Sequence, residues 1–205
     1  MRPKLLLATN NTGKVREYHS LLLGIPFELV TPKDMDINME VEEKGTTYEE
    51  NALLKACALA KASGLLSLAD DSGLEVDALN GEPGVLSARY AGKNASDADR
   101  VSYLLSKLKE VPKEKRTARF RCVIAIAKPD GRVEFCEGEC KGIIALEPCG
   151  KNGFGYDPVF CFPKYGKTMA ELPSDIKNHI SHRGRAAQKA RLLLEKMAQK
   201  DTKNA

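Results

Sequence analysis

The sequence predicts one mixed α/β domain, and three observations carry that prediction. Short apolar runs bounded by Gly, Pro, Asn and Asp alternate with longer segments of helical character. One of those segments has a full set of start and stop signals. A length of 205 residues with 42% apolar content suits a single soluble domain that needs no disulfide or metal staple.

Lys4 to Ala8 is the first apolar strand candidate, and a helix over residues 14–23 follows until Gly24 and Pro26 stop it. Thr46-x-x-Glu49 forms a capping box for a helix from Tyr48 to Ser63, rich in Ala, Leu and Lys, which Gly64 ends. Leu65 to Ala69 is an apolar strand expected to terminate in Asp70-Asp71-Ser72-Gly73. Asn80-Gly81 and Pro83-Gly84 mark turns. A helix from Asp97 to Leu108 precedes a strand from Arg119 to Ala127, which Asp130-Gly131 joins as a hairpin to Arg132–Cys136. Ile143–Leu146 and Val159–Phe162 are further strands. The last helix runs from about Ser181 to Ala198, with Ala186, Ala190, Leu193, Leu194 and Met197 on one face. Residues 199–205 are expected to fray. The chain shows neither repeats nor a linker, so the domain is expected to span 1–205.

Charge and composition exclude several classes. The net charge is +4, but seven basic residues from Arg183 onward stand against Glu195 and Asp201, so that segment carries +5 and residues 1–182 carry −1. The excess is the solvated face of an amphipathic helix rather than a general nucleic-acid footprint. A nucleic-acid-binding protein using that helix remains the alternative from another class. No apolar run approaches the ~18 residues of a membrane span, and the N-terminus is too short for a secretory signal. Six cysteines without a Cys-x-x-Cys pair point to reduced thiols and a cytoplasmic location, not to structural zinc.

Four segments could carry chemistry. Thr9-Asn10-Asn11-Thr12-Gly13-Lys14 lies between a strand and a helix start, where free N–H groups and the helix dipole favour an anion and Lys14 adds charge. It is not a Walker loop, because Ala8 and Val15 break that pattern. A plain strand–helix turn stands beside the phosphate reading. Asp70 and Asp71 follow an apolar strand and point to opposite sides of it, so only one need face a given site. With Glu42-Glu43 nearby in sequence, such hard oxygens suit Mg²⁺ held partly by substrate phosphates; a turn capped by Asp and Ser is the alternative. Gly153-Phe154-Gly155-Tyr156-Asp157-Pro158 places two aromatics between glycines, able either to stack on a planar base or to pack a core edge. In Ser181-His182-Arg183-Gly184, a His and an Arg sit in a first helical turn against the dipole, which hints at a ligand acceptor.

Taken together, these segments resemble the inosine triphosphate pyrophosphatase family. The matching pieces are Thr9-x-Asn11-x-x-Lys14, Glu49-Asn51-Ala52 with Lys55, and Ala69-Asp70-Asp71-Ser72-Gly73-Leu74. Gly84-x-x-Ser87-Ala88-Arg89, Gly153 to Pro158, and Ile180-Ser181-His182-Arg183 complete the set in the family's order. The resemblance implies a long, twisted, mostly antiparallel mixed sheet flanked by helices, two lobes with a central cleft, and a homodimer. It implies Mg²⁺-dependent hydrolysis of non-standard purine nucleoside triphosphates (ITP, dITP, XTP) to the monophosphate and pyrophosphate. Carried over, Thr9, Asn10, Asn11, Thr12, Gly13 and Lys14 would hold the triphosphate and Ser72 would touch the substrate. Glu43 and Asp71 would hold Mg²⁺, and Asp71 would accept the proton. Phe154, Gly155, Tyr156, Asp157, Lys177, His182 and Arg183 would line the base pocket, with Lys55 and Asp70 in support. A Maf-like pyrophosphatase acting on modified nucleotides is the nearest rival, against which Asp-Asp-Ser-Gly and Ser-His-Arg-Gly both argue. The resemblance implies neither a nucleic-acid nor a membrane partner.

Overall fold

The computed structural model describes residues 2–203, with side chains through 199. Its strands form one open seven-stranded mixed sheet. In chain order they are β1 (Lys4–Leu7), β2 (Glu28–Val30), β3 (Leu66–Val76), β4 (Thr117–Ala127), β5 (Val133–Ile144), β6 (Phe160–Phe162) and β7 (Lys167–Thr168). The spatial order is β2-β1-β3-β4-β5-β6-β7. β1 runs parallel to β2 and β3, whereas β6 is antiparallel to β5 and β7. The helices are α1 (Thr12–Leu21), α2 (Tyr48–Ser63), α3 (Asp97–Lys107), α4 (Ser174–Ile180) and α5 (His182–Lys203).

The chain divides into two compact units, each assembled from separate segments. The first comprises Met1–Asp71, Cys122–Gly138 and Arg183–Ala205. Its core gathers Leu5 and Leu7 of β1, Tyr18 and Leu22, Leu68 of β3, and Cys122, Ile124 and Ile126 of β4. Ala186, Ala190 and Leu194 of α5 close it, with Leu193 and Met197 packed at the margin, which is the face that the helical spacing predicts. The second unit comprises Ser72–Arg121 and Glu139–His182. Leu74, Val76, Leu104, Leu108, Phe120, Tyr156, Val159 and Phe160 lie in its core.

Several boundaries differ from expectation, each for a physical reason. The α2 capping box is Thr47 with Glu50, one residue later than Thr46 with Glu49. The Glu50 carboxylate also accepts from Thr46 N at 2.6 Å, so Thr46 is bound just outside the cap. α1 starts at Thr12, because Asn11 caps it by accepting from Lys14 N at 3.0 Å. The Asp70–Gly73 segment is not a turn: β3 continues straight through it to Val76. The two strands expected at 132–136 and 143–146 are one strand, β5. α4 and β7 carry too short a pattern to be expected. Of the tail expected to fray, 204 and 205 and the side chains from 200 onward lie outside the described residues, and the α5 backbone reaches Lys203.

Candidate active site

In the first unit, charged side chains converge on the two aspartates of β3. Pleating sends adjacent residues to opposite faces, and the partners of Asp70 and Asp71 differ accordingly. Asp70 is 2% exposed. Its Oδ2 accepts from Arg183 Nη2 at 3.0 Å and Nε at 3.2 Å, and from the Cys122 thiol at 3.7 Å. Lys14 Nζ stands 3.0 Å from Asp70 Oδ1 and donates to the Asp70 carbonyl at 3.3 Å. Burial alone would push this carboxyl up, but Lys14, Arg183 and Lys55 outweigh it and hold it well below the ordinary carboxylate range. Arg183 also donates from Nη1 to Glu17 Oε2 at 2.8 Å. A chain Glu17–Arg183–Asp70–Lys14 therefore alternates in sign. The guanidinium, expected against a base, is spent here on two carboxylates.

Asp71 faces other partners. Its Oδ2 accepts from Asn51 Nδ2 at 3.0 Å, and Lys55 Nζ lies 3.8 Å from its Oδ1. Lys55 also binds Glu43 Oε1 at 2.5 Å, so two carboxylates share one ammonium. Burial raises the Asp71 carboxyl and Glu43 adds to the rise, against the downward pull of Lys55 and Lys14. Lys55 acts on Asp70 and Lys14 on Asp71, so both aspartates belong to one electrostatic site. α2 supplies Asn51 and Lys55 one turn apart on a single face. Asn51 is fully buried and its Oδ1 accepts from Gly45 N at 2.8 Å. A Cβ at Gly45 would stand 2.7 Å from that oxygen, so glycine permits the approach. Of the paired glutamates, Glu43 belongs to the site; Glu42 pairs with Lys44 in solvent, both side chains more than 70% exposed.

Thr9 Oγ1 accepts from Asn11 N at 3.2 Å, so Thr9 and Asn11 shape the turn that delivers Lys14. Asn10 and Thr12 are exposed, and Gly13 and Lys14 half-buried. Among the described residues no three His, Cys, Asp or Glu gather as a metal set. Glu43 and Asp71 gather around the one ammonium of Lys55, and their hard carboxylate oxygens are of the donor type that Mg²⁺ would use.

In the second unit the Gly153–Asp157 turn comes together with Lys177 of α4. Asp157 Oδ2 accepts from Phe154 N at 2.8 Å and from Lys177 Nζ at 2.5 Å, and that ammonium lies 5.1 Å from the centre of the Phe154 ring. Asp157 and Lys177 are both buried. Gly153 has φ +77°, and a Cβ there would overlap Asp157 Oδ2. Tyr156 belongs to the core, its OH donating to Ser87 O at 2.9 Å; Phe154 is the aromatic of the turn that keeps exposed surface. His182 stacks on Phe120, ring centres 4.5 Å apart and planes 9° apart, with Nδ1 3.9 Å from Cys140 Sγ. Ser72 is half-buried on β3. Sequence reasoning missed Glu17 and Phe120 as members of these clusters and gave Asn51 only as part of a family motif, with no role. A buried-side Asn one turn before Lys55 was the one readable signal.

The family model of the Ham1 family matches residues 5–192. The chain belongs to the Ham1 family. Every side chain just described as a cluster member falls inside that span. A relative named dITP/XTP pyrophosphatase from Desulforamulus reducens is 53% identical over 194 residues, covering 95% of this chain and 96% of its own. One of the same name from Geobacter sulfurreducens is 54% identical, covering 89% and 92%. The solved HAM1 protein of Coxiella burnetii superposes with a TM-score of 0.86 at 43% identity, covering 95% and 99%. The family resemblance and the α/β fold expected from the sequence are both borne out.

Proposed function

We propose that this Ham1 protein hydrolyses non-standard purine nucleoside triphosphates, ITP, dITP and XTP, to the monophosphate and pyrophosphate with Mg²⁺. The observation that carries the reading is 53% identity across 95% of the chain to a relative named dITP/XTP pyrophosphatase. One family match from residue 5 to 192 supports reading the chain as one domain. A homodimer belongs to the same reading and rests on the family resemblance alone, and a cytoplasmic location rests on the cysteine usage. Among the described residues no helix is long and apolar enough to cross a membrane. Nucleic-acid binding by α5 gains no support, since Arg183 is held by Asp70 and Glu17 and Arg191 by Glu195 and the Leu23 carbonyl.

In this reading water attacks the α-phosphorus, the bond to the bridging oxygen breaks, and pyrophosphate leaves. Asp71 takes the proton of the attacking water; its burial makes it a stronger base than an exposed aspartate. Lys55 offers its ammonium to Glu43 at 2.5 Å and to Asp71 at 3.8 Å, which offsets part of the repulsion between the two carboxylates. Glu43 and Asp71 would hold Mg²⁺, which when bound supplies positive charge against the phosphate oxygens. Lys14, delivered at the start of α1 and steadied by Asp70, adds a second cation, and the N–H groups of the Thr9–Lys14 turn complete the cradle. Ser72 touches the substrate. The base is taken by the face of Phe154, by Lys177 and Asp157, and by His182 held flat on Phe120. A 6-oxo group accepts from Lys177, already paired with Asp157, whereas the adenine amino group is itself a donor and offers that ammonium no acceptor.

Pyrophosphate and orthophosphate release, measured separately on ITP, XTP, GTP and ATP with and without Mg²⁺, tests the reading. Pyrophosphate from ITP and XTP, far above GTP and ATP and only with metal, is the expected result. Orthophosphate release, or equal rates on all four, overturns it.

A further inference from the structure

The tip of the Gly153–Asp157 turn is held by a residue that belongs to neither the phosphate nor the base set. Both Gly153 and Gly155 have positive φ, +77° and +62°, so local preference does not fix the turn. Main-chain bonds tie its ends: Asn152 N donates to Ala170 O at 3.0 Å, and Ala170 N to Asp157 O at 3.1 Å. The tip is tied differently, by Gly155 N donating to Asp97 Oδ2 at 2.7 Å. Asp97 opens α3, and Arg100 one turn later pairs with its other oxygen.

Arg100 Nη1 also donates to the carbonyls of Ala88 at 3.0 Å and Ala95 at 2.5 Å. Ala88 follows Ser87, whose carbonyl accepts from Tyr156 OH, the residue next to Gly155. Ser87 is fixed in turn: its Oγ accepts from Leu74 N at 2.9 Å and donates to Gly84 O at 2.6 Å. The Gly84-x-x-Ser87-Ala88-Arg89 motif thus has a use that substrate contact does not explain. It forms one side of a frame, and Arg100 with Asp97 forms the other.

We propose that Asp97, steadied by Arg100, is a positioning residue for base recognition, acting through the Gly155 N–H. The inference rests on the reading of this turn as base-binding. Asp97 is suited to positioning rather than to stability, because its side chain is 46% exposed and its loss opens no cavity. Removing it frees the tip, and Phe154 no longer waits in the conformation that meets a base.

The test compares Asp97→Ala, Asp97→Asn and Arg100→Met with the wild-type chain in two measurements. In steady-state kinetics, Asp97→Ala raises KM for ITP about tenfold, the loss of one charge-assisted hydrogen bond, with kcat within about threefold. Asp97→Asn, which keeps an acceptor, restores most of the loss, and Arg100→Met falls between. In the second measurement, Gly155 amide exchange read by NMR speeds up in Asp97→Ala without change elsewhere in the second unit. Unaltered KM and unaltered Gly155 exchange overturn the proposal. So does a fall in kcat and melting temperature together, which marks a general structural role. A wild-type chain inactive on every purine triphosphate defeats the functional reading instead, and the Gly155 amide then still decides whether Asp97 holds the turn.

Discussion

Asp70→Asn puts a number on the alternating charge chain. The substitution keeps the size of the side chain and removes the charge that Lys14 and Arg183 face from 3.0 Å each. Breaking one partner out of a buried ion pair costs about 3–5 kcal/mol. Two features move the value to the low end: Glu17 still binds Arg183 Nη1, and the Lys14 side chain keeps 15% of its exposure. About 3 kcal/mol is expected, which for a chain of this size lowers the melting temperature by roughly 6–12 °C. The deficit should also depend on pH with a definite sign. The Asp70 carboxyl is depressed in the folded chain, so its stabilisation is complete above the ordinary aspartate value of about 3.9 and fades as pH falls below it. Urea midpoints of the two proteins therefore converge in acid. Calorimetry and urea titration at neutral and acid pH provide the assay. A melting temperature within about 2 °C of wild type at neutral pH would refute the reasoning.

Other perturbations have distinct signatures. Asp71→Asn should lower pyrophosphate release from ITP by at least ~10²-fold. Because burial disfavours the Asp71 carboxylate, the same variant should melt at or above the wild-type temperature, and a large drop would contradict that sign. Phe120→Ala removes a ring packed on Phe160 and His182, so a loss of about 3–5 kcal/mol by urea unfolding is expected, with KM for ITP rising as His182 loses its stacking surface. Gly153→Ala forces a Cβ onto Asp157 Oδ2 at a positive φ. It should weaken the Asp157–Lys177 pair and ITP binding, whereas unchanged ITP affinity by calorimetric titration would detach that pair from the base.

What the sequence made legible follows local chemistry. Gly64 after an Ala- and Leu-rich helix could be read because a left-handed C-cap is a one-residue demand, and it has φ +68°. The opposite facing of Asp70 and Asp71 could be read because pleating has a period of two. The strand's continuation through Asp-Asp-Ser-Gly could not, since those residues disfavour strands by themselves and are kept extended by partners distant in the chain. Arg183 shows the same limit. Its position in a first helical turn advertised a misfit, but a carboxylate 113 residues away resolves it, and no spacing rule reaches that far. Asp97 was legible only as the start of a helix, because its contact with Gly155 depends on how two distant segments fold together.

The discontinuous make-up of the two units has a consequence for how the chain is built on the ribosome. The first unit cannot complete its core until Ala186, Ala190 and Leu194 have been synthesised, although Leu5 and Leu7 of the same core emerge at the very start. The second unit lies wholly within residues 72–182, so all of its chain is synthesised before residues 183–203 of α5. The segments of the second unit are therefore complete before those of the first, although the first contains the N-terminal strand, the reverse of the usual N-terminal-first order. During that interval the β1 segment, three of whose four residues are fully buried apolar leucines in the finished protein, waits for its cover. Truncations within α5 should strand the chain in this state, with the second unit formed and the leucines of the first exposed to aggregation.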